Sequence, residues 1–180
     1  MTPDLSGPVE IVARRLLGHR LVTEFEDRTV VVIDEVEAYG GVDDPASHAY
    51  RGPTTRNASM FGAAGTLYVY RSYGIHWCAN VATGLAGKGQ AVLIRGGRVV
   101  EGKQTVVRRR GRTDHLADGP GKLTQALGIT GDHDGTSVFR GPVRLAPGPA
   151  PDPAAIRTTP RIGITREVDR PWRFVVVSGQ

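Results

Sequence analysis

The sequence predicts an α+β fold: a mostly antiparallel β-sheet flanked by a few short helices. Three observations carry this reading. Residues 29–39 and 66–72 are rich in β-branched and aromatic residues, as strands are. Adjacent strand-like runs are separated by turns of only a few residues, as hairpins are. Helical spacing occurs in only three short stretches, two of them closed by glycine. The 180 residues fit one domain, 1–180.

The elements follow in order. Pro8 opens a helix with Val9, Val12, Ala13, Leu16 and Leu17 on one face, and Gly18 closes it. Strands over residues 21–26 and 29–39 follow, joined by a tight turn at Asp27 and Arg28. Residues 40–65 are rich in loop-forming residues. Residues 66–72 and 76–82 read as a hairpin around Tyr73, Gly74 and Ile75, and residues 90–95 as a further strand. Residues 99–110 and 120–127 read as helices, the second opened by Pro120 and ended by Gly128. The proline-rich stretch 147–153 is a surface loop, and short strands are expected near 142–145, 161–164 and 173–177.

Composition narrows the function. The net charge of +5 favours anionic partners, nucleic acid being the common case. The densest basic run, Arg108-Arg109-Arg110-Gly111-Arg112, is better read as a solvated helix end whose cations face the C-terminal dipole. No apolar run reaches the roughly 20 residues of a membrane span, and no leader pattern opens the chain, so a cytoplasmic location is expected. Cys78 is the single cysteine, which excludes an intrachain disulfide. Asp43-Asp44 with His48, and Asp132-His133-Asp134, match no standard metal-ligand spacing; the second is a turn, and neither a metal nor any other cofactor is expected. His19 and His115 stand alone and are read as surface residues. No phosphate-binding loop, dinucleotide fingerprint or serine nucleophile elbow is present.

Two regions carry chemistry. In the strand ending Glu35-Val36-Glu37-Ala38-Tyr39, alternation puts Glu35, Glu37 and Tyr39 on one face. A carboxylate there can take a proton from water. In the hairpin, Tyr68, Tyr70 and Ser72 share a face, with Leu67 and Val69 on the other. Tyr73 and Ile75 fall at the tip, where polar residues are usual; an apolar tip suits insertion into a groove.

These residues, taken with His48, Arg56-Asn57, Met60-Phe61, Cys78-Ala79-Asn80, Val92-Leu93-Ile94-Arg95, Gly119-Pro120-Gly121-Lys122-Leu123, Arg161-Ile162-Gly163 and Arg173-Phe174, closely resemble the alkyladenine (3-methyladenine) DNA glycosylase family, in order and over most of the chain. The resemblance implies a curved antiparallel sheet with a protruding, intercalating hairpin. It implies a monomeric, metal-free enzyme acting on double-stranded DNA that contains damaged purines, with no membrane association. It assigns Glu37 to activating the water and Arg95 to orienting the catalytic site. Tyr39 and His48 would lie on one side of the flipped base and Tyr70 on the other. Asn80 would police the base edge, and Leu93 would belong to the base pocket. Tyr73 and Ile75 would form the wedge, and Arg56, Lys122 and His76 would meet the DNA backbone. A non-catalytic damage binder would not need Glu37, and a binding module like formyltransferase C-terminal domains would leave Glu37, Tyr39 and His48 unexplained.

Overall fold

The computed structural model describes residues 3–177; residues 1, 2 and 178–180 of the expected 1–180 domain lie outside them. Among these described residues all strand pairings are antiparallel, and they join in one sheet of eight strands. The helices are α1 (Val9–Leu16), α2 (Lys103–Arg110) and α3 (Pro120–Leu127). The strands are β1 (Arg20–Glu24), β2 (Arg28–Tyr39), β3 (Leu67–Ser72), β4 (His76–Ala82), β5 (Ala91–Glu101), β6 (Val143–Ala146), β7 (Ile156–Thr159) and β8 (Arg173–Val176). The α+β expectation therefore holds. No helix among the described residues is long and apolar enough to cross a membrane.

The main path of the sheet is β3-β4-β5-β2-β1-β6. The twelve-residue β2 organises it. One edge of β2 pairs with β5 along its length, while the other edge is shared, residues 28–32 bonding to β1 and residues 35–37 to β8. The alternation of β2 and β3 sorts side chains between two faces. Val31, Ile33, Val36, Ala38, Leu67 and Val69 join Val12 and Leu16 of α1 and Leu123 and Leu127 of α3 in the main core. Burying one such aliphatic side chain contributes roughly 1.5–3 kcal/mol. On the opposite face Tyr68 packs with Ala49, Met60 and Ala91, bordered by Tyr39, Phe61 and Tyr70. That second cluster lies where the site is built.

The pairing of β2 with β5 is interrupted twice within three residues. Ile33 faces Gly97 and Glu35 faces Gly96, so Asp34 is an extra residue on β2; Val36 then faces Ile94, so Arg95 is an extra residue on β5. The two bulges restore the register and redirect the side chains at both positions. Gly97 makes the close approach possible: a Cβ there would stand 2.3 Å from Val31 Cγ1 and 2.5 Å from the Val32 carbonyl oxygen.

Several boundaries differ from expectation, each for a physical reason. The first turn is Phe25-Glu26-Asp27, because Phe25 leaves the ladder to stack on His133 at 4.6 Å. Residues 99–101 continue β5, with Val99 facing Val31; the helix begins only after Gly102, whose φ of +73° turns the chain. Residues 161–164 form no strand. The Ile162 amide is spent on a carboxylate, and the strand lies earlier, at β7, whose β-branched Thr158 and Thr159 pair with β8. The basic end of α2 behaves as a helix terminus: Arg109 bonds the Ala126 carbonyl, and Arg108 pairs with Glu26. His19 is half-buried rather than a free surface residue.

Asp34 gives a measurable signature. Burial, then the charge of Glu35, pushes its carboxyl up to about 6. Between the ordinary aspartate value and about 6 the folded chain holds the extra proton, so this residue's contribution makes stability fall as pH rises through that window. Asp34→Asn is expected to flatten this part of the pH dependence in urea unfolding. At pH 7 it should raise stability by about 1 kcal/mol, after allowance for the solvent that still reaches the group.

Candidate active site

One row of side chains crosses four strands. Tyr68 on β3 faces Asn80 on β4, Asn80 faces Leu93 on β5, and Leu93 faces Glu37 on β2. Cross-strand partners share a face, so the ladder delivers these four residues to one surface from positions scattered through the sequence. Above it lies a cavity of about 550 Å³ whose wall includes Tyr39, His48, Tyr68, Tyr70, Asn80, Leu93 and Arg95. The sequence-assigned pocket residues thus converge, with Arg56 and Tyr73 at the same wall.

Glu37 differs from the others in having no exposed surface. Its Oε2 accepts a 2.8 Å hydrogen bond from the Tyr39 hydroxyl, and its Oε1 accepts 2.7 Å from the Ile162 amide. Arg95 stands 3.4 Å from Oε1. Burial, then Glu37 itself, pushes the Tyr39 hydroxyl well above its ordinary pKa, so it remains a donor. Arg95 also donates from Nε to Glu35 at 2.7 Å, and Arg173 of β8 donates to the same Glu35 oxygen at 2.7 Å. Burial opposes the Glu35 charge, but the hydrogen bonds from Arg173 and Arg95 outweigh it and hold the carboxyl below its usual range. For Arg95, burial is likewise opposed and exceeded by Glu37 and Glu35, which raise its pKa.

His48 lies 4.5 Å from Tyr70, ring to ring, at 79°, an edge-to-face contact within the aromatic wall. Tyr68 stacks on Tyr70 at 5.5 Å, and its hydroxyl is 3.1 Å from His48 Nδ1. Although His48 keeps an exposed edge, burial of its ring and then the Arg56 charge lower its pKa. Burial pushes the Tyr68 hydroxyl up to about 12. Asn80 is buried and donates its amide to the Tyr68 carbonyl at 3.1 Å, which fixes its orientation. Leu93 is buried beside it.

The hairpin tip is a tight turn closed by the Ile75 amide on the Ser72 carbonyl at 3.0 Å. Tyr73 and Gly74 both have positive φ, +50° and +69°, the pattern of a type I′ turn. Gly74 adopts this freely; for Tyr73 it is strained. Tyr73 is 89% exposed and Ile75 67%. The residues expected at the DNA backbone already have protein partners. Arg56 donates to the Arg71 carbonyl at 3.1 Å, Lys122 pairs with Asp118 at 3.0 Å, and exposed His76 lies against Gly121 of α3.

Sequence reasoning named Asp44, Arg161, Ile162 and Arg173 but gave none of the four a role in the site. Asp44 and Arg161 form a buried ion pair between positions 117 apart, a separation that leaves no local signal. Among the described residues, no group of three or more His, Cys, Asp or Glu side chains is placed to hold a metal ion.

The site is thus a cavity walled by aromatic rings and Arg95, with the buried Glu37 carboxylate behind the wall. Comparison with known proteins gives the class. The family described as methylpurine-DNA glycosylase matches residues 4–180. A protein of Frankia casuarinae is 48% identical over 180 residues, covering 93% of this chain and 84% of its own length. A protein of Methanoculleus marisnigri is 52% identical over 168 residues, covering 91% and 87%, and one of Nocardia farcinica 51% over 172, covering 90% and 80%. Each carries the name "Putative 3-methyladenine DNA glycosylase". The chain belongs to the methylpurine-DNA glycosylase family, hydrolases of N-glycosyl bonds in the base excision repair of DNA.

The strained, exposed tip makes a stability prediction. If Tyr73 contributes nothing to the core, Tyr73→Asn, which tolerates positive φ, should leave stability unchanged or raise it by about 1 kcal/mol. A fall of several degrees in Tm would show that the ring packs against the fold.

Proposed function

We propose that this enzyme flips a damaged purine out of duplex DNA into the aromatic cavity and hydrolyses its glycosidic bond with water activated by Glu37, leaving an abasic site. The observation that carries the reading is the row Tyr68–Asn80–Leu93–Glu37, which puts an aromatic ring, an amide and a buried carboxylate on one sheet face. A purine inside a duplex is out of reach, so it must be extruded, at a cost of a few kcal/mol. Tyr73 and Ile75 fill the gap, replacing stacking worth roughly 1–3 kcal/mol for an aromatic. The extruded base lies against the rings of Tyr39, His48 and Tyr70, which line the cavity.

Alkylation at N3 or N7 leaves a cationic base, which is a good leaving group and gains roughly 0.5–2 kcal/mol over an electron-rich ring. Loss of the base builds positive charge on the sugar, which the carboxylate of Glu37 stabilises while it takes the proton of the attacking water. A carboxylate has about four acceptor positions. Tyr39, Ile162 and Arg95 occupy three at most, so one is left for water. No lysine lines the cavity among the described residues, which supports water rather than an amine as nucleophile. The Tyr68 hydroxyl and His48 Nδ1 are hydrogen-bonded to each other, which leaves His48 Nε2 to meet a bound base. The enzyme works as a monomer on double-stranded DNA.

Glu37→Gln keeps shape and hydrogen bonding but removes the base. Single-turnover excision of 3-methyladenine or hypoxanthine from a duplex should fall by about 10²–10⁴ while lesion-DNA affinity stays within several-fold. Near-normal excision by this variant would move the role elsewhere, first to Glu35. Excision should also survive excess EDTA; loss restored by zinc or magnesium would overturn the metal-free mechanism.

A further inference from the structure

Asp44 and Arg161 are buried to 0% side-chain exposure, and nothing in the proposed chemistry uses them directly. Their contacts radiate through the site. Arg161 donates through both terminal nitrogens to Asp44, Nη2 to Oδ1 at 3.0 Å, and Nη1 also reaches the Ala38 carbonyl at 3.0 Å, between Glu37 and Tyr39 on β2. The guanidinium lies over the Tyr39 ring, 4.8 Å from its centroid. Arg161 is not part of the cavity wall while Tyr39 is, so the cation backs the ring from the side away from the cavity. Asp44 accepts the amides of Gly40 and Ala46, at 3.0 and 3.2 Å, and so pins the segment running from Tyr39 towards His48. The residue after Arg161 supplies the amide that holds Glu37.

We propose that the Asp44–Arg161 pair is a positioning device for catalysis, setting the Tyr39 ring, the His48 segment and the Glu37 carboxylate against one another. The proposal rests on the reading of Glu37 and Tyr39 given above. A buried ion pair adds little stability over an apolar pair of similar volume, because desolvating two charges offsets their attraction. What it does add is direction: two parallel hydrogen bonds and a planar ring contact admit one arrangement. An apolar pair in the same space would fill it without fixing the Tyr39 plane or the course of the chain from Arg161 to Ile162. Positioning errors of about 1 Å can lower rates by roughly a hundredfold.

The test compares Asp44→Leu/Arg161→Met with Arg161→Lys and the native enzyme. Binding is measured on a duplex with a tetrahydrofuran abasic site, and single-turnover excision on a duplex with ethenoadenine, whose fluorescence reports unstacking. The double variant leaves the Gly40 and Ala46 amides and the Ala38 carbonyl without these partners, so its Tm should fall, while it should bind the abasic duplex within threefold. Its excision should fall by at least about 30-fold, with altered fluorescence of the flipped base. Arg161→Lys keeps the charge but loses the fork, so its excision should fall about tenfold with binding unchanged; this decides the matter if the double variant does not fold. Excision within twofold of native in whichever variant folds would overturn the proposal, as would losses of binding and excision in equal measure. Failure of the native enzyme to excise any lesion would count against the function itself, not against the pair.

Discussion

The site depends on Arg95 standing between Glu35 and Glu37. Two carboxylates two residues apart on one strand face repel, and Glu37 is wholly buried. A carboxylate is tolerated inside a protein only when it is paired and hydrogen-bonded. The guanidinium of Arg95 meets both acids, and its placement is a matter of backbone register. Arg95 is the extra residue of the β5 bulge, which follows the Asp34 bulge of β2 across the Glu35–Gly96 pair. Gly97 allows the two strands to approach there. The electrostatics of the site is thus written into the irregularity of the sheet. Arg173 then anchors Glu35 from β8, the strand that takes over the edge of β2 where β1 ends.

The same geometry sets what each polar group can do. Burial keeps the Tyr39 hydroxyl protonated, so it donates to Glu37 and does not compete for a proton. Burial likewise raises the Cys78 thiol in the cavity wall, away from thiolate chemistry. His48, crowded by Tyr70 and lowered in pKa by burial and Arg56, is suited to hydrogen bonding as a neutral ring rather than to adding charge. The cavity is therefore rich in donors and flat rings. Its one acidic group lies behind the wall, screened from bulk solvent, where hydrogen bonds are stronger than in water.

Much of this was legible in the sequence where the signal is local. Period-two alternation correctly divided Tyr68 and Tyr70 from Leu67 and Val69, and Glu37 from Val36. Pro120 and Gly128 bounded their helix, and a tyrosine beside a glycine marked an exposed tip. Readings failed where tertiary pairing overrode local preference. Val99 and Val100 extend a strand because β2 is there to receive them, and residues 161–164 are irregular because Arg161 turns inward to Asp44. Neither bulge was visible, since a bulge is a relation between two strands rather than a property of either.

The account turns on whether water can reach a carboxylate that the free enzyme seals behind Tyr39, Arg95 and Ile162. A crystal structure of the enzyme on a duplex carrying a cationic pyrrolidine abasic analogue tests this most directly. The account predicts an ordered water roughly 2.6–3.2 Å from a Glu37 oxygen, on the sugar face opposite the departed base, with Arg95 still bridging Glu35 and Glu37. A Glu37 carboxylate that remains sealed, with the nearest water held by a different side chain, would contradict it.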